Sequence, residues 1–247
     1  ATQAAQNYER FVEARDLYES CVEKDPDFAP AWAHLGRCDR LIGKYMGDAK
    51  ASQEQAEASF RRALEIDPDL PIAHKHYAQL EAETGRPTAA MNRLIRAADA
   101  SPNDAEIFVG LVHACRYAGL LEASLAAHDE ARRLDPHITT GVEWTLLARA
   151  EYERLAGLAD EKGANLVDLG PHILALVTLG RFDAARAVMT RQEEHAVPQV
   201  VRVVTGWAAP VLAGNFERAT EAVERALAVF YDPEARFLYS LVLFKVG

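Results

Sequence analysis

A short acidic or hydroxyl residue followed by proline recurs along this chain at Asp25-Pro26, Asp67-Pro68, Ser101-Pro102 and Asp135-Pro136, so that successive prolines stand 42, 34 and 34 residues apart. A period of that size constrains the fold more than any other property of the sequence, because it means that one supersecondary unit is built repeatedly. Proline cannot continue a helix and biases the residue before it away from helical angles, so each such pair ends one helix and opens the next. A second marker falls between them. It is a glycine followed two residues later by an aromatic or aliphatic residue, at Gly43-Lys44-Tyr45, Gly119-Leu120-Leu121, Gly180-Arg181-Phe182 and Gly214-Asn215-Phe216, with Gly85 and Gly247 in phase. Glycine supplies the left-handed turn that closes a helix, so each of these is expected to joint two antiparallel helices. Between the markers apolar residues recur every three and four positions, as in Phe60, Ala63, Leu64 and in Leu94, Ala97, Ala98. That is the helical period, and no segment reads as a strand.

Composition closes several other readings. Apolar residues make up 49% of the 247 positions and charged residues 26%, with 14 Gly and 11 Pro, which excludes collagen-like, low-complexity and disordered chains. The 27 Lys and Arg against 37 Asp and Glu leave a net charge of −10. Such a balance disfavours a surface built to neutralise phosphate backbones or anionic lipid, so neither a nucleic-acid nor a membrane partner is expected. Cys21, Cys38 and Cys115 lie far apart, giving no disulfide framework and no Cys-rich zinc site. The most apolar run, 196–212, is broken by Pro198, Gln199, Arg202 and Pro210 and falls short of a membrane span. The sequence opens at Ala1 without a basic-then-apolar leader. A cytoplasmic location is the expectation, although the missing initiator Met leaves the compartment open.

The run Trp32-x-x-Leu35-Gly36, then Gly43-Lys44-Tyr45, Ala56, Phe60, Ala63 and Asp67-Pro68 resembles the tetratricopeptide repeat. The pattern continues with substitutions through Tyr77, Ala78, Gly85, Ala90, Leu94, Ala97 and Pro102, then through Phe108, Leu111, Gly119, Ser124, His128, Ala131 and Pro136. The resemblance implies an all-α, right-handed α-solenoid of antiparallel helical hairpins, about six full repeats with a half repeat at each end. Residues 1–136 read as regular repeats and 137–247 as degenerate ones. The interval from Gly43 to Gly85 holds eight residues too many, around 46–53, and predicts an extended second helix over 44–66. Ala150-Glu151-Tyr152 stands where the Gly marker belongs, and the register over 137–170 is open. Phe11 to Lys24 reads as a second helix without its first and 232–247 as a first helix without its second. An apolar face is expected to be open at each end, with self-association there as one outcome.

Chemistry-bearing patterns are sparse. His74-x-His76 sits two apart, which on a helix sends the rings to different sides, and no His-Glu-x-x-His, nucleotide-binding glycine loop or hydrolase elbow occurs. No catalytic residue, cofactor or metal is expected, and His128 reads as a core histidine. In tetratricopeptide proteins the first helix of each hairpin lines a concave groove. Carried onto this chain, the resemblance selects Arg37, Arg40, Lys75, Gln79, His113, Arg116 and Tyr117 as partner-binding residues, with Ile72 and Val109 beside Tyr117 as an apolar anchor. The function implied is a non-catalytic protein–protein interaction scaffold. Its partner is a protein or peptide, with an acidic segment carrying an apolar side chain as the expected ligand. The alternative is a regulatory or sensory module of a larger effector protein that binds a small ligand. Positions equivalent to a chaperone-tail carboxylate clamp hold Ala33, Arg37, His76, Glu106 and Gly110, so that ligand is not expected. Farther along, Val201, Val204, Ala208 and Val211 fall on groove positions of a helix containing Trp207 and are expected to be core, with Pro210 shortening the helix.

Overall fold

The structure is a computed structural model that describes residues 3–45, 49–162, 169–193, 205–229 and 232–246. Those residues form fourteen helices and no strand. They are α1 (Gln3–Lys24), α2 (Ala29–Tyr45), α3 (Ala49–Ile66), α4 (Pro71–Glu83), α5 (Pro87–Ala100), α6 (Ala105–Tyr117) and α7 (Leu121–Leu134). There follow α8 (Val142–Ala148), α9 (Tyr152–Lys162), α10 (Leu169–Thr178), α11 (Phe182–Glu193), α12 (Ala208–Leu212), α13 (Phe216–Val229) and α14 (Pro233–Val246). The even-numbered helices from α2 to α12 open hairpins that the following odd-numbered helices close. The described residues form an all-α solenoid of such hairpins, and α1 and α14 stand outside these pairs.

The two sequence markers do different mechanical work. At Gly85, Gly119, Gly180 and Gly214 the backbone is left-handed, with φ of +82°, +76°, +70° and +71°. Each is followed by an amide that reaches back five residues, as in Arg86 N to Glu81 O at 2.7 Å and Leu120 N to Cys115 O at 2.9 Å. The glycine amide itself reaches back three, which completes the Schellman closure of a helix end. At the other joint α1, α3 and α7 stop one residue before the aspartate of the Asp-Pro pair. Asp25, Asp67 and Asp135 each accept, on Oδ1, the backbone N–H two residues on, at 3.2, 3.2 and 2.9 Å. The aspartate thus fixes the turn that proline forces.

Gly43 corrects the sequence reading. It is not a joint, because α2 runs through it to Tyr45. The eight surplus residues displace the end of the helix past the position in phase, and a single glycine inside a helix is tolerated at a cost of about 1 kcal/mol. In this hairpin α2 has 17 residues and α3 has 18, against 13 and 14 in the next one; residues 46–48 lie outside the described residues. The weak marker at Ala150 has the geometry of its glycine counterparts. Ala150 has φ +57° and is the one described non-glycine residue with positive φ, with Glu151 N bonded to Leu146 O at 3.0 Å.

Two compact units divide the chain, one spanning Asn7–Thr145 and the other centred on Leu146–Gly247. In the first, small residues let helices approach closely. Ala33, Ala63 and Ala73 are fully buried together, and the ring of Phe60 stacks on Tyr77 at 5.7 Å between centroids. Gly36 belongs to the same contact, for a Cβ there would lie 2.7 Å from Phe60 Cε1 and 3.0 Å from Ala56 O. In the second unit Trp207, Ala208, Leu238 and Tyr239 are buried. Pro210 lies in a helix of only 5 residues, α12, with Trp207 at its N-terminal boundary. Val201 and Val204 lie outside the described residues, as does Gly247. On α14 Phe237 and Phe244 are exposed.

Candidate functional site on the first-helix face

Within Asn7–Thr145 the first helices are neighbours in space as well as in sequence phase, since α2 lies against α4 and α4 against α6. These helices carry the seven residues selected from the sequence, six of which make hydrogen bonds, ion pairs or ring contacts with other side chains, whereas Arg37 does not. Arg37 is exposed and makes no ion pair among the described residues. Arg40, one turn on, is buried, and its Nη1 donates to both carboxylate oxygens of Glu83 at 2.8 Å while Nη2 donates to Gln79 Oε1 at 3.1 Å. Lys44 Nζ reaches the same Glu83 at 2.9 Å. One carboxylate of α4 therefore holds two cations of α2.

Burial of Glu83 works against its ionisation, yet Arg40 and Lys44 override it and hold the carboxyl far below the usual carboxylate range. On the other side of α4, Lys75 Nζ bonds Glu106 Oε2 of α6 at 2.6 Å. His113 Nε2 lies 3.8 Å from Glu83 Oε1, and its ring stacks on Tyr117 with centroids 4.5 Å apart. Arg116 Nη2 donates to His113 Nδ1 at 3.2 Å, while Nη1 donates to Gly141 O and Thr145 Oγ1 at 3.3 and 3.4 Å, at the start of α8. These contacts connect α2 to α4, α6 and α8, with the Gly141 carbonyl as their backbone member.

The sequence reading brought these residues onto one face but treated their cations as open charge, and that picture is corrected here. Arg40, Lys75 and Arg116 are engaged between helices, and Arg37 is the cation of the set left exposed and unpaired. Glu83 and Lys44 escaped the sequence reading as site residues, and Glu106, noted there at a clamp-equivalent position, was not paired with Lys75. A signal for Glu83 was present, because it stands 34 residues before Tyr117 and so shares the phase of a selected groove position.

The histidine pair resolves into two local roles. His74 Nε2 donates to Pro68 O at 2.7 Å, six residues back, which is the bond that Trp32 Nε1 makes to Pro26 O at 2.9 Å in the preceding repeat. His76 instead bonds Gln79 Oε1 through Nδ1 at 3.1 Å. Among the described residues no three His, Cys, Asp or Glu are grouped to hold a metal ion. His128 is half-buried and its Nδ1 pairs with Thr140 Oγ1 at 2.7 Å. Among the described residues no helix is long and apolar enough to cross a membrane.

Hairpins of this length, closed by Schellman turns and linked by Asp-Pro turns around a shared first-helix face, define a helical-repeat protein. Two family models described as tetratricopeptide repeat match residues 54–114 and 213–247, so those two stretches carry the repeat. The crystal structure of a tetratricopeptide repeat protein from Parabacteroides merdae is similar at 16% identity and a TM-score of 0.58, over 96% of this chain and 99% of that one. The APC/C hetero-tetramer Cut9–Hcn1 aligns at 13% identity and a TM-score of 0.61, over 98% of this chain and 47% of that one. At these identities the likeness is one of fold. No curated protein sequence matches the chain.

Proposed function

We propose that this protein is a non-catalytic interaction scaffold that holds a segment of a partner protein on the first-helix face of α2, α4 and α6. The observation that carries the reading is the exposed Arg37 of α2, which makes no ion pair among the described residues, with half-exposed Ile72 of α4 and Val109 and Tyr117 of α6 on neighbouring first helices, while Arg40, Lys44 and Lys75 are already held by Glu83 and Glu106. One carboxylate of a partner segment would meet Arg37, and one bulky apolar side chain would meet Ile72, Val109 and Tyr117. The fold supports the reading, since one structure of similar fold, Cut9–Hcn1, is a hetero-tetramer. Magnitudes set its form. An exposed ion pair contributes about 0.2 to 1 kcal/mol, whereas a buried apolar side chain contributes roughly 1.5 to 3 kcal/mol. The apolar anchor therefore dominates affinity, and Arg37 adds salt-sensitive selectivity. The test places a photo-crosslinking amino acid at Val109 and, as a control, at the exposed Ile95 of α5, in the source cell. A single partner adduct from Val109, absent from Ile95 and weakened severalfold by Arg37→Glu, is expected. Equal adducts from both positions, or indifference to Arg37→Glu, would set the reading aside.

A further inference from the structure

Two enclosed imidazoles, His76 of α4 and His113 of α6, have no part in the function proposed above. A guanidinium only donates, so the bond from Arg116 to His113 Nδ1 requires that nitrogen to be bare, and the ring is neutral with its proton on Nε2. Nε2 makes no hydrogen bond. His76 is 4% exposed. Gln79 Oε1 also accepts from Arg40, so His76 Nδ1 is the donor to it, and His76 Nε2 is a buried lone pair without a hydrogen-bond partner. The charged and titratable groups around the two rings come from all three helices. They are Arg37, Arg40 and Lys44 of α2, Lys75 and Glu83 of α4, and Arg116 and Tyr117 of α6, while α8 and the turn before it add the uncharged Thr145 hydroxyl and Gly141 carbonyl.

Burial pushes both imidazoles well below their ordinary range. Lys75 and Arg40 reinforce the effect at His76, and Arg116 reinforces it at His113 while Glu83 opposes it. A proton on His113 Nδ1 must break the Arg116 bond and set two cations together. A proton on His76 Nε2 creates a buried charged donor with no acceptor, among cations.

We propose that His76 and His113 form a proton-sensitive clasp that keeps α2, α4 and α6 side by side while both rings are neutral and releases α4 and α6 on acidification. That release of the clasp also releases a bound partner rests on the function proposed above; the clasp itself does not. The sign follows from linkage. The opened segment has histidines of ordinary pKa, about 6.5, and takes up protons that the closed form refuses. Closure is therefore unaffected above about pH 6.5 and weakens below it, by up to tenfold per pH unit for each ring.

The test uses the whole chain without any partner, so its failure is distinct from failure of the binding reading. Hydrogen exchange, corrected for its intrinsic pH dependence, is followed from pH 7.5 to 5.5 in peptides from α4 and α6, with α13 as reference. The opening constant of α4 and α6 should rise at least tenfold below pH 6.5 while that of α13 does not, and the double variant His76→Gln/His113→Gln should abolish the rise. An unchanged opening constant in the parent, or the same acid response in the double variant, overturns the proposal. If the double variant does not fold, imidazole C–H NMR on the parent decides. Both rings should remain unprotonated at pH 5.5 for as long as α4 and α6 stay closed, and protonation of either ring in the closed form overturns the clasp.

Discussion

Glu83 shows what a single side chain can do when two helices compete for it. Its carboxylate is nearly enclosed and binds Arg40 and Lys44 together. Glu83→Gln preserves shape and removes the charge, leaving two cations without their counterion. Breaking a buried pair in this way costs about 3 to 5 kcal/mol, because the remaining charge stays desolvated. A loss near the lower end is expected, since Lys44 is close enough to the surface to swing outward, and a urea titration of parent and variant measures it. The pH dependence has a fixed sign. A carboxyl held below its unfolded value stabilises the fold above about pH 4.3 and progressively less as pH falls below it. The parent should therefore lose stability on acidification more steeply than the variant. The family resemblance selected Arg40 on the first-helix face, but its partner lies 43 residues away on another helix. Which carboxylate meets which guanidinium depends on how far one helix slides along the next, and no local pattern encodes that.

At the level of elements, the joints were the most legible part of the chain, because each rests on a backbone conformation that few residues adopt. Ala150 tests that logic. It occupies the left-handed corner that glycine takes at Gly85, Gly119, Gly180 and Gly214. A side chain in that region costs roughly 1 to 2 kcal/mol, partly offset by the greater entropy that glycine loses on folding. Ala150→Gly should raise stability by about 1 kcal/mol, and Gly119→Ala should lower it by a similar amount; thermal melts of the two variants check both signs. Gly43 was misread for the complementary reason. Glycine is permitted a left-handed turn without being committed to one, and the lengthened hairpin carries the α2 helix past it. Helix length was less legible than helix existence, because a surplus of eight residues can be divided between two arms in many ways while keeping the apolar period.

Solenoids join these elements by nearest-neighbour contacts, so the stability of the whole molecule is close to a sum over hairpins and their interfaces. The point at which the chain is divided then decides what survives. A cut at residue 136 follows the repeat pattern, since it falls after the Pro that closes α7. It also removes Gly141 and Thr145, which accept hydrogen bonds from Arg116, and Thr145 is bonded to the fully buried Ser124 Oγ at 2.8 Å. Ser124 keeps its bond to Val112 O at 2.7 Å, but Arg116 loses both partners on α8 and the turn before it. Leaving such groups without partners costs roughly 1 to 3 kcal/mol each where they stay buried. A fragment of residues 1–148, which retains α8, should therefore unfold at a higher urea concentration than a fragment of residues 1–136, by at least 1 kcal/mol, although both contain α2 to α7. Circular dichroism of both fragments should show helix in native buffer, because each retains complete neighbouring hairpins. Equal midpoints would mean that the interface between α6 and α8 contributes nothing and that the repeat boundary read from the prolines is also the energetic one.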